Sequence, residues 1–247
     1  MSVQAVLFDL GNTLVGYYTA DEFPVVLRRC LRRCVTTLGR RVGEAEEDGL
    51  LRRALELNTE RSDLAVRPLG ERLQELFGRD AALDDGALQQ ACGAFLEPIF
   101  ALAKVDPEAI PVLESLRARG IKTAIVSNTP WGSAADAWRK ELARHRLLES
   151  VDAAVFCGDV GWRKPHRAPF QRALELLGVV AADAIFVGDD PRWDVAGARQ
   201  AGLRPVLVRS LPTDTVEGLV SIASLSEIPA LLDETAAGFR KTFQSIC

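Results

Sequence analysis

The sequence predicts an α/β fold: a Rossmann-like core on a parallel sheet, with an all-helical, four-helix cap inserted after the first strand. Three observations carry this. A short apolar segment, Val3 to Phe8, opens the chain and stops at Asp9-Leu10-Gly11-Asn12, as a strand closing on a turn does. A long stretch of helical periodicity follows, from Asp21 to about Val105, with no strand pattern inside it. From Pro107 onward, short apolar strands alternate with amphipathic helices, which calls for a parallel sheet covered on both faces.

Taken in order, Asp21 is placed to cap a helix that ends at Leu38-Gly39. A second helix spans about Glu44 to Thr59. Pro68 suits the first turn of a third, which ends near Gly78, and Leu83–Leu102 supplies a fourth. The core then resumes with helix Pro107–Arg119 and strand Thr123–Val126. Helix Ala134–Leu148 and strand Ala153–Phe156 come next, then helix Ala168–Leu177 and strand Ala184–Val187. Helix Asp194–Ala201 leads to strand Pro205–Val208, and Ser221–Leu225 with a short helix from about Ser226 closes the fold. Gly238 to Cys247 reads as a loosely held tail. The expected division is therefore a core of residues 1–15 and 106–247 and a cap of residues 16–105. An insert after the first strand lies over the carboxyl ends of the strands, where open α/β sheets bind ligands, so it is a candidate lid.

Composition agrees with an ordinary globular chain: 247 residues, 48% hydrophobic and 26% charged. The net charge is −4, from 30 basic and 34 acidic residues spread along the chain, which gives no electrostatic reason to expect nucleic acid. No apolar run approaches the roughly 18 residues of a membrane span, and the start has no basic-then-apolar leader. The five cysteines lack a CxxC pair. Cys30 and Cys34 lie in a helical stripe with Leu27, Leu31 and Leu38, the pattern of core packing in a reducing compartment. A cytoplasmic location is expected.

Four clusters stand at successive strand ends. Asp9 follows the first strand, held on a rigid element at the ligand edge, as suits a nucleophile or metal ligand. Ser127-Asn128 ends the next strand, where a hydroxyl and free backbone N–H groups can hold phosphoryl oxygens. Lys164 is kept off a helix by Pro165, and its ammonium is a compact charge for phosphate and carboxylate oxygens. Gly188-Asp189-Asp190 ends a later strand, with Asp194 close behind. So many carboxylates at one edge repel one another unless a cation joins them, and Mg²⁺ prefers such hard oxygen ligands. Each cluster alone also suits a plain turn, a solvated lysine or a helix cap; their order along the chain is the stronger signal.

These residues resemble the four motifs of the haloacid dehalogenase-like superfamily. The resemblance implies Asp9 as nucleophile, Ser127 as phosphate-binding hydroxyl, Lys164 as charge-stabilising lysine, and Asp189 with Asp194 as the acidic metal pair. The stretch Asp194-Val195-Ala196-Gly197-Ala198-Arg199-Gln200-Ala201-Gly202 is similar to the phosphatase branch. The implied activity is Mg²⁺-dependent hydrolysis of a small phosphorylated metabolite through an aspartyl phosphate. Asp9, the Gly11 carbonyl, Asp189 and Asp194 form the expected metal set, and Asn12, Ser127, Asn128 and Lys164 the expected substrate-binding set.

One position departs from the family. The second Asp, two places after the nucleophile, is replaced by Gly11. General acid–base catalysis of that kind is worth about 10²–10⁴-fold. Its loss points to substrates with good leaving groups, to another proton carrier, or to slight activity. Two alternatives follow: a 2-haloacid dehalogenase-like hydrolase, whose fourth motif Trp193-Asp194 resembles, and a non-catalytic phosphate-binding descendant. Asp189 argues against the first, because the dehalogenases work without metal and keep no metal-binding acid there. Tyr17, Tyr18, Arg61, Arg67 and Trp131 are placed to meet the substrate's other end, and Trp162 and Arg163 to wall the Lys164 side. His145 and His166 lack ligand spacing and read as an ordinary helix-face and loop histidine.

Overall fold

A computed structural model describes residues 3–57, 63–78, 83–208 and 219–238. The chain enters through β1 (Ala5–Phe8) and β2 (Val15–Gly16). It then builds four helices, α1 (Phe23–Thr37), α2 (Glu44–Leu57), α3 (Leu69–Phe77) and α4 (Asp85–Phe100), and leaves them through β3 (Lys104–Val105). Next come α5 (Ala109–Ala118), β4 (Lys122–Ser127), α6 (Ala135–Arg144), β5 (Ala153–Phe156), the single turn α7 (Cys157–Val160) and α8 (Ala168–Leu177). The remainder is β6 (Ala184–Gly188), a π-type turn at Pro191–Val195, α9 (Ala196–Gln200), β7 (Arg204–Val208), β8 (Val220–Ile222) and α10 (Ile228–Gly238).

Among the described residues, six strands form one parallel sheet in the order β5-β4-β1-β6-β7-β8. The α/β class predicted from the alternating pattern is the one that forms. Side-chain alternation along β1 explains the two-sided cover: Val6 and Phe8 enter one buried cluster, Ala5 and Leu7 the other. The second cluster holds α8 against the sheet through Phe170, which meets Phe186 edge to face at 4.9 Å. Burying one such side chain contributes about 1.5–3 kcal/mol.

Several boundaries differ from the sequence reading for local reasons. Helix α1 is not capped by Asp21, which is exposed. Instead the Glu22 carboxylate accepts from Thr19 N (2.8 Å) and Thr19 Oγ1 (3.1 Å), and Pro24 occupies the first turn. Helix α4 starts where Asp84 accepts from Ala87 N at 2.7 Å, two residues after Leu83. Residues 58–62, including Thr59 and Arg61, lie outside the described residues, as does the tail beyond 238. The stretch between β1 and β4 is not free of strand: β2 and β3 pair antiparallel at the root of the helices. The Cys30–Cys34 stripe is buried core, with Cys34 Sγ donating to Ala91 O on α4 at 3.3 Å. No helix among the described residues is long and apolar enough to cross a membrane.

The helical insertion also touches the core away from its root. Val66 N donates to Gly161 O (2.8 Å) and Arg163 N to Leu64 O (2.9 Å), around an antiparallel bridge of Ala65 with Trp162. Gly132 lies so close to the Arg67 carbonyl that a Cβ there would stand 2.2 Å from its oxygen, and its φ of +66° suits only glycine well.

Candidate active site

Strand β1 sits between β4 and β6, so Phe8 is level with Ile125 on one side and Val187 on the other. The chain runs from β1 out to β4 and β5, then returns past β1 to β6, β7 and β8. The reversal opens a crevice at the carboxyl ends of β1, β4 and β6, the usual ligand position in such sheets. Asp9, Ser127 and Asp189 all stand there. Asp9 stays in the ladder one residue beyond its strand, its N–H donating to Val187 O at 2.9 Å.

The carboxylates of Asp9, Asp189 and Asp194 offer oxygen atoms that all lie within 4.8 Å of one another. Two Mg–O bonds of about 2 Å span roughly 4 Å, so this set closes on one ion with shifts of about 1 Å. Lys164 completes the cluster. It is 2% exposed, with Nζ 2.5 Å from Asp9 Oδ1 and 2.7 Å from Asp194 Oδ1. Burial works against its charge, but the Asp194 and Asp9 carboxylates outweigh that and hold the ammonium above its ordinary range. Burial, then the charges of Asp9 and Asp194, push the Asp189 carboxyl up to about 7. Burial likewise raises Asp194, with Lys164 pulling the other way. Three acids thus face one ammonium, and the donor set is all carboxylate, which fits a hard divalent cation.

Local sequence explains how these groups are held. Asp194 Oδ2 accepts from Asp190 N at 3.1 Å, which turns its carboxylate inward. Gly188 makes room for it, since a Cβ there would stand 2.3 Å from Asp194 Oδ2. Asp190 is the cap of the following turn, accepting from Arg192 N (2.7 Å) and Trp193 N (3.1 Å), and stands apart from the three-acid cluster. Asn128 clamps the backbone of Lys164: its Oδ1 accepts from Lys164 N (2.8 Å) and its Nδ2 donates to Lys164 O (3.2 Å). Its side-chain amide is therefore used on Lys164. Ser127 is buried and donates from Oγ to Asn128 O at 3.2 Å.

Two cavities are lined by residues that neighbour the cluster in sequence. The smaller, of 140 Å³, is lined by Gly11, Asn12, Ser127 and Asn128 and by Tyr17 and Tyr18. Asn12 shapes its turn, at φ 57°, and donates from Nδ2 to Tyr18 O at 3.3 Å. A Cβ at Gly11 would meet nothing within 4 Å. The larger, of 380 Å³, shares Tyr18 and Pro130 with the first and adds Trp131 and Arg163. Arg67, by contrast, directs its guanidinium to Glu75. Trp162 stacks on His166 at 4.5 Å, and His166 Nδ1 accepts from Ala168 N; His145 pairs with Glu141 at 2.9 Å. Sequence reasoning missed Phe23 and Arg72 as cavity walls, and took Trp193 only as part of a motif. Arg72 looks like any charged residue of an amphipathic helix, and nothing local signals that it is buried.

Residues 3–202 match a family model described as a haloacid dehalogenase-like hydrolase. The chain is 30% identical over 209 residues to a glyceraldehyde 3-phosphate phosphatase of Methanopyrus kandleri, covering 84% of each. It is 36% identical over 164 residues to a phosphoglycolate phosphatase of Rhodospirillum rubrum, covering 64% of this chain and 65% of that one. Among solved structures, a 2-haloacid dehalogenase from Pseudomonas syringae is similar at a TM-score of 0.67 and 28% identity, over 94% of this chain and 99% of that one. With that family model matching residues 3–202, most of the chain, the chain belongs to the haloacid dehalogenase-like hydrolases.

Proposed function

We propose that the protein is a Mg²⁺-dependent phosphomonoester hydrolase that acts on a small phosphorylated metabolite, with Asp9 as nucleophile and the four-helix insertion as a cap over the site. The observation that carries this reading is the convergence of the Asp9, Asp189 and Asp194 carboxylates on one point beside Lys164. A metal-free dehalogenase has no use for three acids so placed. Two of the relatives just described are named as phosphatases of small three-carbon and two-carbon phosphates, which supports the substrate class.

Lys164 holds Asp9 Oδ1, which leaves Oδ2 to attack phosphorus. The ester bond breaks in line as the Asp9–phosphorus bond forms, and water then hydrolyses the aspartyl phosphate to phosphate and free carboxylate. Ser127 Oγ and the Asn128 N–H hold phosphoryl oxygens, and Lys164 offsets their charge, so the chain acts by positioning and fixed charge. Asp9, Asp189 and the Gly11 carbonyl would hold Mg²⁺, with Asp194 orienting Lys164 and completing the surrounding shell. When bound, the ion supplies charge neutralisation between phosphate and carboxylates.

The test is phosphate release from phosphoglycolate and from an aryl phosphate, with Mg²⁺ and with chelator. Activity that needs Mg²⁺ and disappears in Asp9→Asn supports the reading. Halide release from a 2-haloacid without metal, and no phosphate release, would replace it with the dehalogenase.

A further inference from the structure

The loop that delivers Lys164, residues 161–167, has no strand or helix of its own, so its course is set by bonds to its neighbours. Asn128 supplies one anchor, gripping Lys164 by its N–H and its carbonyl. The other comes from the helical insertion. Leu64 O accepts from Arg163 N at 2.9 Å, and Val66 N donates to Gly161 O at 2.8 Å, with Ala65 and Trp162 facing each other as an antiparallel bridge. These bonds end one residue short of Lys164, whose Nζ holds Asp9 Oδ1 at 2.5 Å and Asp194 Oδ1 at 2.7 Å.

The segment from Leu64 to Arg67 is itself held in shape. Leu64 is at φ 62°, a conformation that costs a bulky residue free energy and persists only where the surroundings fix it. Asp63 Oδ1 accepts from Ala65 N at 3.0 Å. At the other end the buried Arg72, on α3, donates from Nε to Arg67 O at 3.4 Å. The same guanidinium lies 5.5 Å over the ring of Trp131, which also stacks on Phe95 of α4 at 5.2 Å. Trp131 belongs to the loop after β4, and next to it Gly132 leaves just enough room for the Arg67 carbonyl. One segment of the insertion thus meets two loops, the one that carries Ser127 and Asn128 and the one that carries Lys164.

We propose that Leu64–Val66 is a positioning strap for Lys164. Its two main-chain bonds to Gly161 and Arg163 fix the loop that brings the ammonium to Asp9, and the loop needs both this strap and Asn128 to hold its course. The insertion therefore helps to set the geometry of the attacking carboxylate, as well as covering the site. None of the three residues touches the reacting atoms; they act through the backbone of Gly161 and Arg163. The proposal rests on the phosphohydrolase reading for its kinetic consequence.

The test compares Val66→Pro, which deletes the N–H that holds Gly161, with Val66→Ala, which keeps it, on the full chain with Mg²⁺. Amide hydrogen exchange followed by NMR reads the strap without turnover. In Val66→Pro the Lys164 N–H should lose protection by about tenfold or more, while Val66→Ala stays near the wild type. Hydrolysis of an aryl phosphate reads the consequence. Since a misplacement near 1 Å costs on the order of 10²-fold in rate, kcat should fall by about 10–100-fold in Val66→Pro with KM little changed, and Val66→Ala should restore it. Should Val66→Pro not fold, the wild type decides, because the amides of Val66, Arg163 and Lys164 should then open together as one unit. A folded Val66→Pro that matches Val66→Ala in Lys164 protection, or in kcat where the chain is active, overturns the proposal. So does a wild-type Lys164 amide that stays closed while those of Val66 and Arg163 open. Loss of Lys164 protection in a chain that releases phosphate from no ester upholds the strap and rejects the hydrolase reading.

Discussion

Asn128 grips Lys164 by both ends of its peptide unit, accepting from its N–H at 2.8 Å and donating to its carbonyl at 3.2 Å. Through this clamp the loop after β4 sets the height of an ammonium that must serve Asp9 and Asp194 at once. In Asn128→Ala both bonds are lost, each worth about 1 kcal/mol net. Urea denaturation should show a loss of about 1–3 kcal/mol. Because a misplacement near 1 Å costs on the order of 10²-fold in rate, kcat should fall by about 10–100-fold, with a smaller change in KM. An unchanged kcat would mean that Lys164 is placed by its carboxylates alone.

The empty space beside Gly11 bears on proton transfer. A Cβ there meets nothing within 4 Å, so the first carbon of an aspartate side chain can be introduced without displacing a neighbour. Gly11→Asp should raise hydrolysis of an alkyl phosphate by about tenfold or more, toward the 10²–10⁴ range of general acid–base catalysis, and change an aryl phosphate little. In the wild type the aryl ester should be cleaved faster. Equal rates on both esters, untouched by Gly11→Asp, would show that the leaving group's proton does not limit the reaction.

In the proposed function, metal and proton compete for the same carboxylates. Burial and the neighbouring charges of Asp9 and Asp194 raise Asp189 from 3.8 to about 7 without metal. Between these values the folded chain binds more protons than the unfolded one, so stability of the metal-free protein falls as pH rises from about 4 to about 7. Mg²⁺ stabilises only the charged site, so its benefit grows over the same interval. At a hundredfold excess over Kd the gain is about 2.7 kcal/mol, or roughly 5–10 °C in Tm for a chain of this size. Thermal melts should show that shift at pH 8 and a much smaller one at pH 5. A Mg²⁺ effect independent of pH would place the ion elsewhere.

How much of this was legible in the sequence follows from range. The strand ends could be read because a buried parallel strand is a continuous apolar run, so the polar residue that ends it stands out; Asp9, Ser127 and Asp189 are all of this kind. Helix Ala168–Leu177 has the predicted bounds because Pro169 opens it and Gly178, at φ 64°, closes it. The β2–β3 pair could not be read, since two residues per strand make no pattern and the partners are brought together by the helices between them. The turn Pro191–Val195 winds as a π-helix because Asp190 caps it and Asp194 must face Lys164, which overrides the helical register expected from Asp194 onward. The walls of the larger cavity come from the β2–α1 linker, α1, α3 and three core loops, and no local signal unites them.

Gly188 is a place where a small residue holds the site open. It ends β6, and a Cβ built on it would stand 2.3 Å from Asp194 Oδ2 and 2.5 Å from Asp194 Cγ. Asp194 cannot yield freely, because Lys164 Nζ holds one of its oxygens at 2.7 Å and Asp190 N the other at 3.1 Å. Overpacking in a filled interior typically costs about 1–3 kcal/mol, and here the strain falls on a buried ion pair rather than on a pliable apolar side chain. Gly188→Ala should therefore destabilise the fold by at least that amount in urea titration. It should also weaken Mg²⁺ binding, read as a smaller Mg²⁺-induced rise in Tm at pH 8, because Asp194 and Asp189 belong to one acidic cluster. A fully stable Gly188→Ala protein with an unaltered Mg²⁺ response would show that Asp194 has slack the present geometry denies it.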